Sequence, residues 1–227
     1  MPKAFVMVTK AGGNGAQPLI ESFAEMQRRL AQVPSDTLPE TFLALALELT
    51  ELAPSESYFQ SWRWIVVRCE HGKQQLEAAT YAEVPLSRSP IVLICLADTA
   101  AWKTTPHQLQ ELVAAKVLSA EDARNVLSRT RKYYSASPQS AQRAALSNAF
   151  LAVHRILAAA ASCQVPARWV SVFDEKKIQT HFHIPDQFLV AALLAIGHED
   201  KDVPAVVGPP APSFVYQEKF GEVNAAR

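Results

Sequence analysis

Apolar residues recur along this chain in two periods, one helical and one alternating or continuous. From Pro18 onward Leu19, Phe23, Met26 and Leu30 fall at helical spacing, and proline suits a first helical turn because its missing N–H is not needed there. Ser35-Asp36-Thr37 with Pro39 marks a second helix start, and Phe42, Leu43, Leu45, Ala46 and Leu49 supply its buried face. Pro54 ends that helix. The run from Trp62 to Arg68 is aromatic and β-branched, which predicts a strand, and Lys73–Thr80 reads as a short helix. Ile91 to Ala97 is uninterrupted apolar sequence and predicts a strand interior to a sheet.

Residues 99–137 are helical by pattern. Thr105-Pro106 opens one helix with Leu109, Leu112, Val113 and Val117 on one face, and Ser119 with Asp122 makes a capping-box-like start for another. Pro138 to Ala161 is the longest helix and is apolar almost all round. Such a helix must be buried, and a partner subunit can supply cover that a chain of this size lacks. Asp174 is expected to cap a helix over Glu175–His181. Residues 4–9 read as a short strand within an N-terminal extension, 1–17, and Pro204, Pro209, Pro210 and Pro212 make 204–227 an extended arm.

Composition narrows the class. With 227 residues, 49% hydrophobic and 19% charged, the chain belongs with ordinary globular proteins, and no linker divides it. Lys+Arg (22) and Asp+Glu (22) cancel, which argues against nucleic acid as a partner. The basic-aromatic cluster Arg124, Arg129, Arg131, Lys132, Tyr133 and Tyr134 therefore reads as a solvated helix face. Cys69, Cys95 and Cys163 lack metal-type spacing and read as buried reduced thiols. The longest apolar stretch carries Arg143, Asn148, His154 and Arg155, too polar for a membrane span, so a soluble cytoplasmic protein is expected. Gly12-Gly13-Asn14-Gly15 lacks the Gly-Lys-Ser/Thr ending of a phosphate loop, and His181-x-His183 lacks a third metal ligand.

The stretch from Ala53 to Arg68 organises the rest: a polar, turn-rich loop runs straight into a core strand, a common way to hold a ligand against a rigid scaffold. Ala53, Pro54, Ser55, Gln60 and Trp62, then Ser89-Pro90 through Asp98, and Ile184-Pro185 through Leu193-Leu194-Ala195-Ile196-Gly197-His198 together resemble the nitroreductase family over roughly residues 20 to 220. In that family the loop typically reads Ala-Pro-Ser-Ser-x-Asn-x-Gln-Pro-Trp; here Tyr58 stands in place of Asn and Ser61 in place of Pro. After the long helix the family carries a Gly-Leu-Gly turn and a Trp-x-Gly-Gly-Phe strand. Trp169 and Phe173 keep their places here, without the glycines.

The resemblance implies an α+β fold: a nitroreductase-like three-layer sandwich with a mixed, mainly antiparallel sheet flanked by helices. The core would span 18–203, with 99–137 as a helical cap or lid, and arm 204–227 would cross to the partner in an intertwined homodimer. It implies FMN, reduced by NAD(P)H and reoxidised by a small aromatic or quinone-like acceptor, with no catalytic side chain required. The implied cofactor-binding residues are Arg28, Arg29 and Gln32 near the phosphate, and Pro54, Ser55, Glu56, Ser57, Tyr58 and Gln60 on the loop. Val170 and Ser171 would lie at the flavin edge, and Lys201 is the basic residue nearest the arm. Trp102, Tyr133 and Tyr134 would be lid residues and His154 a packed or interface histidine. The alternative is a dimer of the same fold that has lost flavin and serves as a binding or structural protein.

Overall fold

The computed structural model describes residues 38–50, 59–81 and 85–197, and individually Glu25, Arg28, Arg29, Tyr216 and Lys219. The expected strand at 4–9, most of the helix from Pro18 and most of the arm lie outside these residues. Strands β1 (Trp62–Val67), β2 (Ile91–Asp98), β3 (Ala167–Val170) and β4 (Phe188–Ile196) form one sheet in the order β1-β2-β4-β3. Among the described residues every pairing is antiparallel, with Ile65 opposite Ile94, and Leu193 opposite both Ile94 and Val170.

Helices α1 (Leu38–Thr50), α2 (Glu70–Ala79), α3 (Thr105–Ala114), α4 (Ala120–Ala136), α5 (Pro138–Ser162) and α6 (Glu175–His181) accompany the sheet. All eight residues of β2 are buried because the strand is covered on both faces. Its odd-numbered residues Ile91, Leu93, Cys95 and Ala97 pack with Phe42 and Leu49 of α1 and Val153 and Ile156 of α5. The even-numbered Val92, Ile94 and Leu96 pack with Leu76 of α2 and Ile178 of α6. The three layers are therefore α1/α5, sheet, and α2/α6. The alanines at 145, 149, 152, 159 and 160 are all buried on the sheet side of α5, and their small size lets the helix axis approach closely.

One irregularity was hidden in the apolar pattern. Cys95 pairs with Ala192 but Leu96 pairs with Val190, so Ala191 is an extra residue in β4. This bulge turns both Ala191 and Ala192 toward the α1/α5 core and puts Val190 with Leu193 and Ala195 on the other face. Nothing in a continuous apolar run marks where the alternation slips.

α2 begins at Glu70, earlier than expected, because Gly72 permits it: a Cβ there would stand 2.8 Å from Val67 Cγ1. Lys73, buried on α2, donates to the carbonyls of Ser87 and Ser89, each at 2.9 Å, and Glu77 Oε2 accepts from Ser87 N at 2.8 Å. These bonds staple the turn that launches β2. Arg68, just beyond β1, pairs bidentately with Glu40 at 2.6 and 2.7 Å. That hydrogen bond holds the Glu40 carboxyl below the usual carboxylate range.

The expected caps are present. Ser119 Oγ accepts from Asp122 N at 3.0 Å, and Asp174 Oδ1 accepts from Lys177 N at 3.1 Å. Three expectations need correction. Val117 lies past the end of α3 and is 69% exposed, since the helix stops at Ala114. Only Cys95 is a buried thiol, its pKa pushed up by desolvation; Cys69 is exposed and Cys163 half-buried. α5 is, by length and composition, long and apolar enough to cross a membrane despite its polar residues, yet it lies against the sheet with half of its most apolar stretch buried.

Ile156 is fully buried between α1 and the sheet. Ile156→Ala should lower unfolding free energy by about 2–5 kcal/mol, since close-packed alanines leave little room for collapse around the cavity. Urea denaturation should show the midpoint falling with an unchanged slope.

Candidate functional site

The loop implied by the sequence enters the described structure at Phe59, where β1 begins and β2 ends. Two buried polar side chains fix this entry. Ser61 Oγ, with no exposed surface, donates to the Ala145 carbonyl at 3.0 Å. Asn148 Nδ2 donates to the Phe59 carbonyl at 3.3 Å. Ala145 and Asn148 are three residues apart, hence on one face of α5. An amide on an otherwise apolar buried face demands a partner, and the incoming segment is that partner. The Asp98 N–H completes the hold by donating to the Ser61 carbonyl at 2.7 Å.

Asp98, buried at the end of β2, also gathers the other anchor segment. Its Oδ1 accepts from Gln187 Nε2 at 3.2 Å and from Ala100 N at 2.9 Å. Thr99 donates to the Gln187 carbonyl through its N–H at 3.0 Å and its hydroxyl at 2.8 Å. The three stretches that carried the resemblance, around 59–67, 90–98 and 184–197, thus meet at one end of the sheet. The start of the helical excursion at 99–104 joins them there.

That excursion is latched onto the same place by aromatic rings. Tyr134 of α4 meets Phe59 edge-on, centroids 5.4 Å apart, and stacks on Trp102 at 6.4 Å. Tyr134 is therefore core, the hinge of cap against loop, whereas Tyr133 is half exposed. Between α3 and α4 lies an open cleft of about 450 Å3, lined largely by apolar side chains including Pro106, Leu109, Val113 and Leu127, with Arg124 at its wall.

Of the remaining implied residues, Arg28 and Arg29 are helical and exposed. Arg28 Nη2 pairs with Glu25 Oε2 at 2.5 Å, and Arg29 Nη1 lies 4.0 Å from Glu48 Oε2. Exposed pairs of this kind are worth only about 0–1 kcal/mol, so both guanidiniums can turn to a phosphate. Val170 is buried and its side chain belongs to the α2/α6 core, so only its main chain is available to a ligand. Ser171 is exposed, as is Val172. The Val172 carbonyl is already taken by Tyr81 N at 3.2 Å. Because the side chains at 171 and 172 point to solvent, the absence of glycine leaves no buried bulk there. The described residues thus offer groups that fit an anionic cofactor: two exposed cations, a small exposed side chain at Ser171, and Gln60 between the pinned Phe59 and Ser61.

Gln32, Pro54, Ser55, Glu56, Ser57, Tyr58 and Lys201 lie outside the described residues. His181 and His183 are both exposed, and no cluster of metal-type ligands occurs among the described residues. Sequence reasoning treated Ser61 only as a departure from proline and passed over Arg63 and Gln187. The one signal available was Asn148, a lone amide on an apolar helix.

Asn148→Ala should cost about 1–3 kcal/mol, because it strands the buried Phe59 carbonyl. Denaturation would measure the loss, and amide exchange should quicken at residues 59–61 before it does in β2.

The family model described as "Nitroreductase family" matches residues 32–198. YodC of Bacillus subtilis, named as an NAD(P)H nitroreductase, is 25% identical over 151 residues, covering 66% of this chain and 74% of YodC. The crystal structure of ydfN from Bacillus subtilis, named as a nitroreductase, superposes with a TM-score of 0.71 at 24% identity, covering 78% of this chain and 86% of that one. A protein from Exiguobacterium sibiricum, named as a nitroreductase and solved in complex with FMN, superposes with a TM-score of 0.64 at 22% identity, covering 74% and 81%. The matched span takes in both core layers, the sheet and every stretch that meets at Asp98: the chain belongs to the nitroreductase family.

Proposed function

We propose that the protein is an FMN-dependent oxidoreductase passing electrons from NAD(P)H to a small aromatic or quinone-like acceptor, working as a cytoplasmic homodimer. The observation that carries this reading is the convergence of the three family-like stretches at Asp98, whose N–H holds the Ser61 carbonyl beside Gln60 and whose carboxylate holds Gln187 at the end of the sheet. The redox chemistry supplied by bound FMN is the two-electron relay between NAD(P)H and the acceptor. This chain's own residues bind and orient. Arg28 and Arg29 hold the phosphate, Gln60 and the loop before it hold the ring system, and Ser171 lets the main chain come near the flavin edge.

The homodimer is supported by the outward face of α5. Phe150 and Leu151 are about two-fifths exposed (39% and 41%), and the Phe150 ring lies 6.0 Å from half-exposed Trp169 on β3. His154 is exposed on the same side of the helix. This apolar strip runs from helix to edge strand and suits the same strip on a second copy. A second reading, a flavin-free dimer with a binding or structural role, is favoured by the lack of any glycine between Gly72 and Gly197.

Purified protein incubated with excess FMN and dialysed should keep its flavin absorbance; colourless protein would remove the enzyme reading. The Arg28→Ala/Arg29→Ala variant should bind FMN about a hundred to ten thousandfold more weakly, the loss of two charge-assisted bonds, while riboflavin affinity stays unchanged. Phe150→Glu with Leu151→Glu should convert the dimer to monomer in light scattering, since it buries charge in an apolar interface.

A further inference from the structure

Arg63 is the second residue of β1, half exposed, and its guanidinium bends back on its own chain. Nη1 donates to the Gln60 carbonyl at 3.0 Å and to the Trp62 carbonyl at 2.7 Å. Nη2 lies 3.7 Å from Asp98 Oδ2, and the Asp98 side chain is only 9% exposed. The other Asp98 oxygen is occupied by Ala100 N and Gln187 Nε2. A buried carboxylate requires donors or a counter-charge, and Arg63 is the cation paired with it among the described residues.

The guanidinium is planar, with its donors in a fixed fork. Once Nη2 is drawn toward Asp98, the direction of Nη1 is set, and with it the direction of the Gln60 carbonyl. The peptide plane between Gln60 and Ser61 is then held from both ends, by Arg63 at the Gln60 carbonyl and by α5 at the Ser61 hydroxyl. A lysine could supply the charge but not the fork.

We propose that Arg63, braced by Asp98, is a positioning residue for the cofactor: it fixes the main chain at Gln60 and so the way Gln60 is presented to the flavin. The proposal rests on the FMN reading above for its ligand, while the placement of Gln60 stands on the geometry alone. Arg63 touches no reacting atom in this role; it acts through Gln60.

Wild-type protein, Arg63→Met, Arg63→Lys and Asp98→Asn are titrated with FMN by flavin fluorescence, and amide exchange of peptides spanning residues 59–63 is followed without ligand. Arg63→Met and Asp98→Asn should each weaken FMN binding by about tenfold or more, with Arg63→Lys between them and wild type. Exchange should quicken at 59–63 while β2 and β4 keep wild-type protection. FMN affinity and exchange both within about twofold of wild type would overturn the proposal. So would a loss of affinity accompanied by faster exchange across the whole sheet, which assigns Arg63 a general structural role. If wild type itself binds no FMN, the functional reading falls separately. The exchange arm still decides the placement of Gln60: quickening confined to 59–63 upholds it, and no change refutes it.

Discussion

The structure depends on how a polar segment is seated on an apolar helix. α5 covers one face of the sheet with alanines and a few larger side chains, and among them Asn148 is almost wholly buried. An amide in that setting is costly unless bonded, by about 1–3 kcal/mol. Its bond to the Phe59 carbonyl, with that of Ser61 to the Ala145 carbonyl, therefore chooses where residues 59–61 lie. Hydrophobic packing alone would tolerate a shift of the chain along the helix. Two directional bonds three residues apart do not. From this seat β1 starts in register with β2, Trp62 opposite Ala97 and Arg63 opposite Leu96. The end of β2 then places Asp98 where it can gather Gln187 and the start of the cap.

Much of the architecture was legible because burial and sequence period coincide. β2 reads as interior since no polar residue interrupts Ile91 to Ala97, and in the fold it is covered on both faces. The face of α1 from Phe42 to Leu49 and the caps at Ser119 and Asp174 were legible for equally local reasons. What stayed hidden is non-local. The bulge at Ala191 leaves no mark in an apolar run, and the early start of α2 depends on Gly72 fitting against Val67. Nor does the sequence show that the Lys73 ammonium closes a turn fourteen residues away.

The candidate site was half legible. Loop and strand residues could be named from their order, but the bonds that orient them join positions 84 and 89 residues apart. Ser61 shows the difference most plainly. In the sequence it is only a departure from the family's proline, whereas in the fold its hydroxyl is one of the two pins on α5. The missing glycines read differently in space as well: Val170 turns into the core while Ser171 and Val172 turn outward, so no side chain fills the interior there. The outward strip of Phe150, Leu151 and Trp169 explains why the α5 sequence is apolar almost all round although half of that helix faces away from the sheet.

A double-mutant cycle on Ser61→Ala and Asn148→Ala tests the central claim most directly, with unfolding free energy as the readout. If both side chains pin one short segment, losing either loosens the other. The cycle should then show a coupling of about 0.5 kcal/mol or more. Additive losses would contradict the account and reduce the two bonds to independent repairs of a fold seated by packing alone.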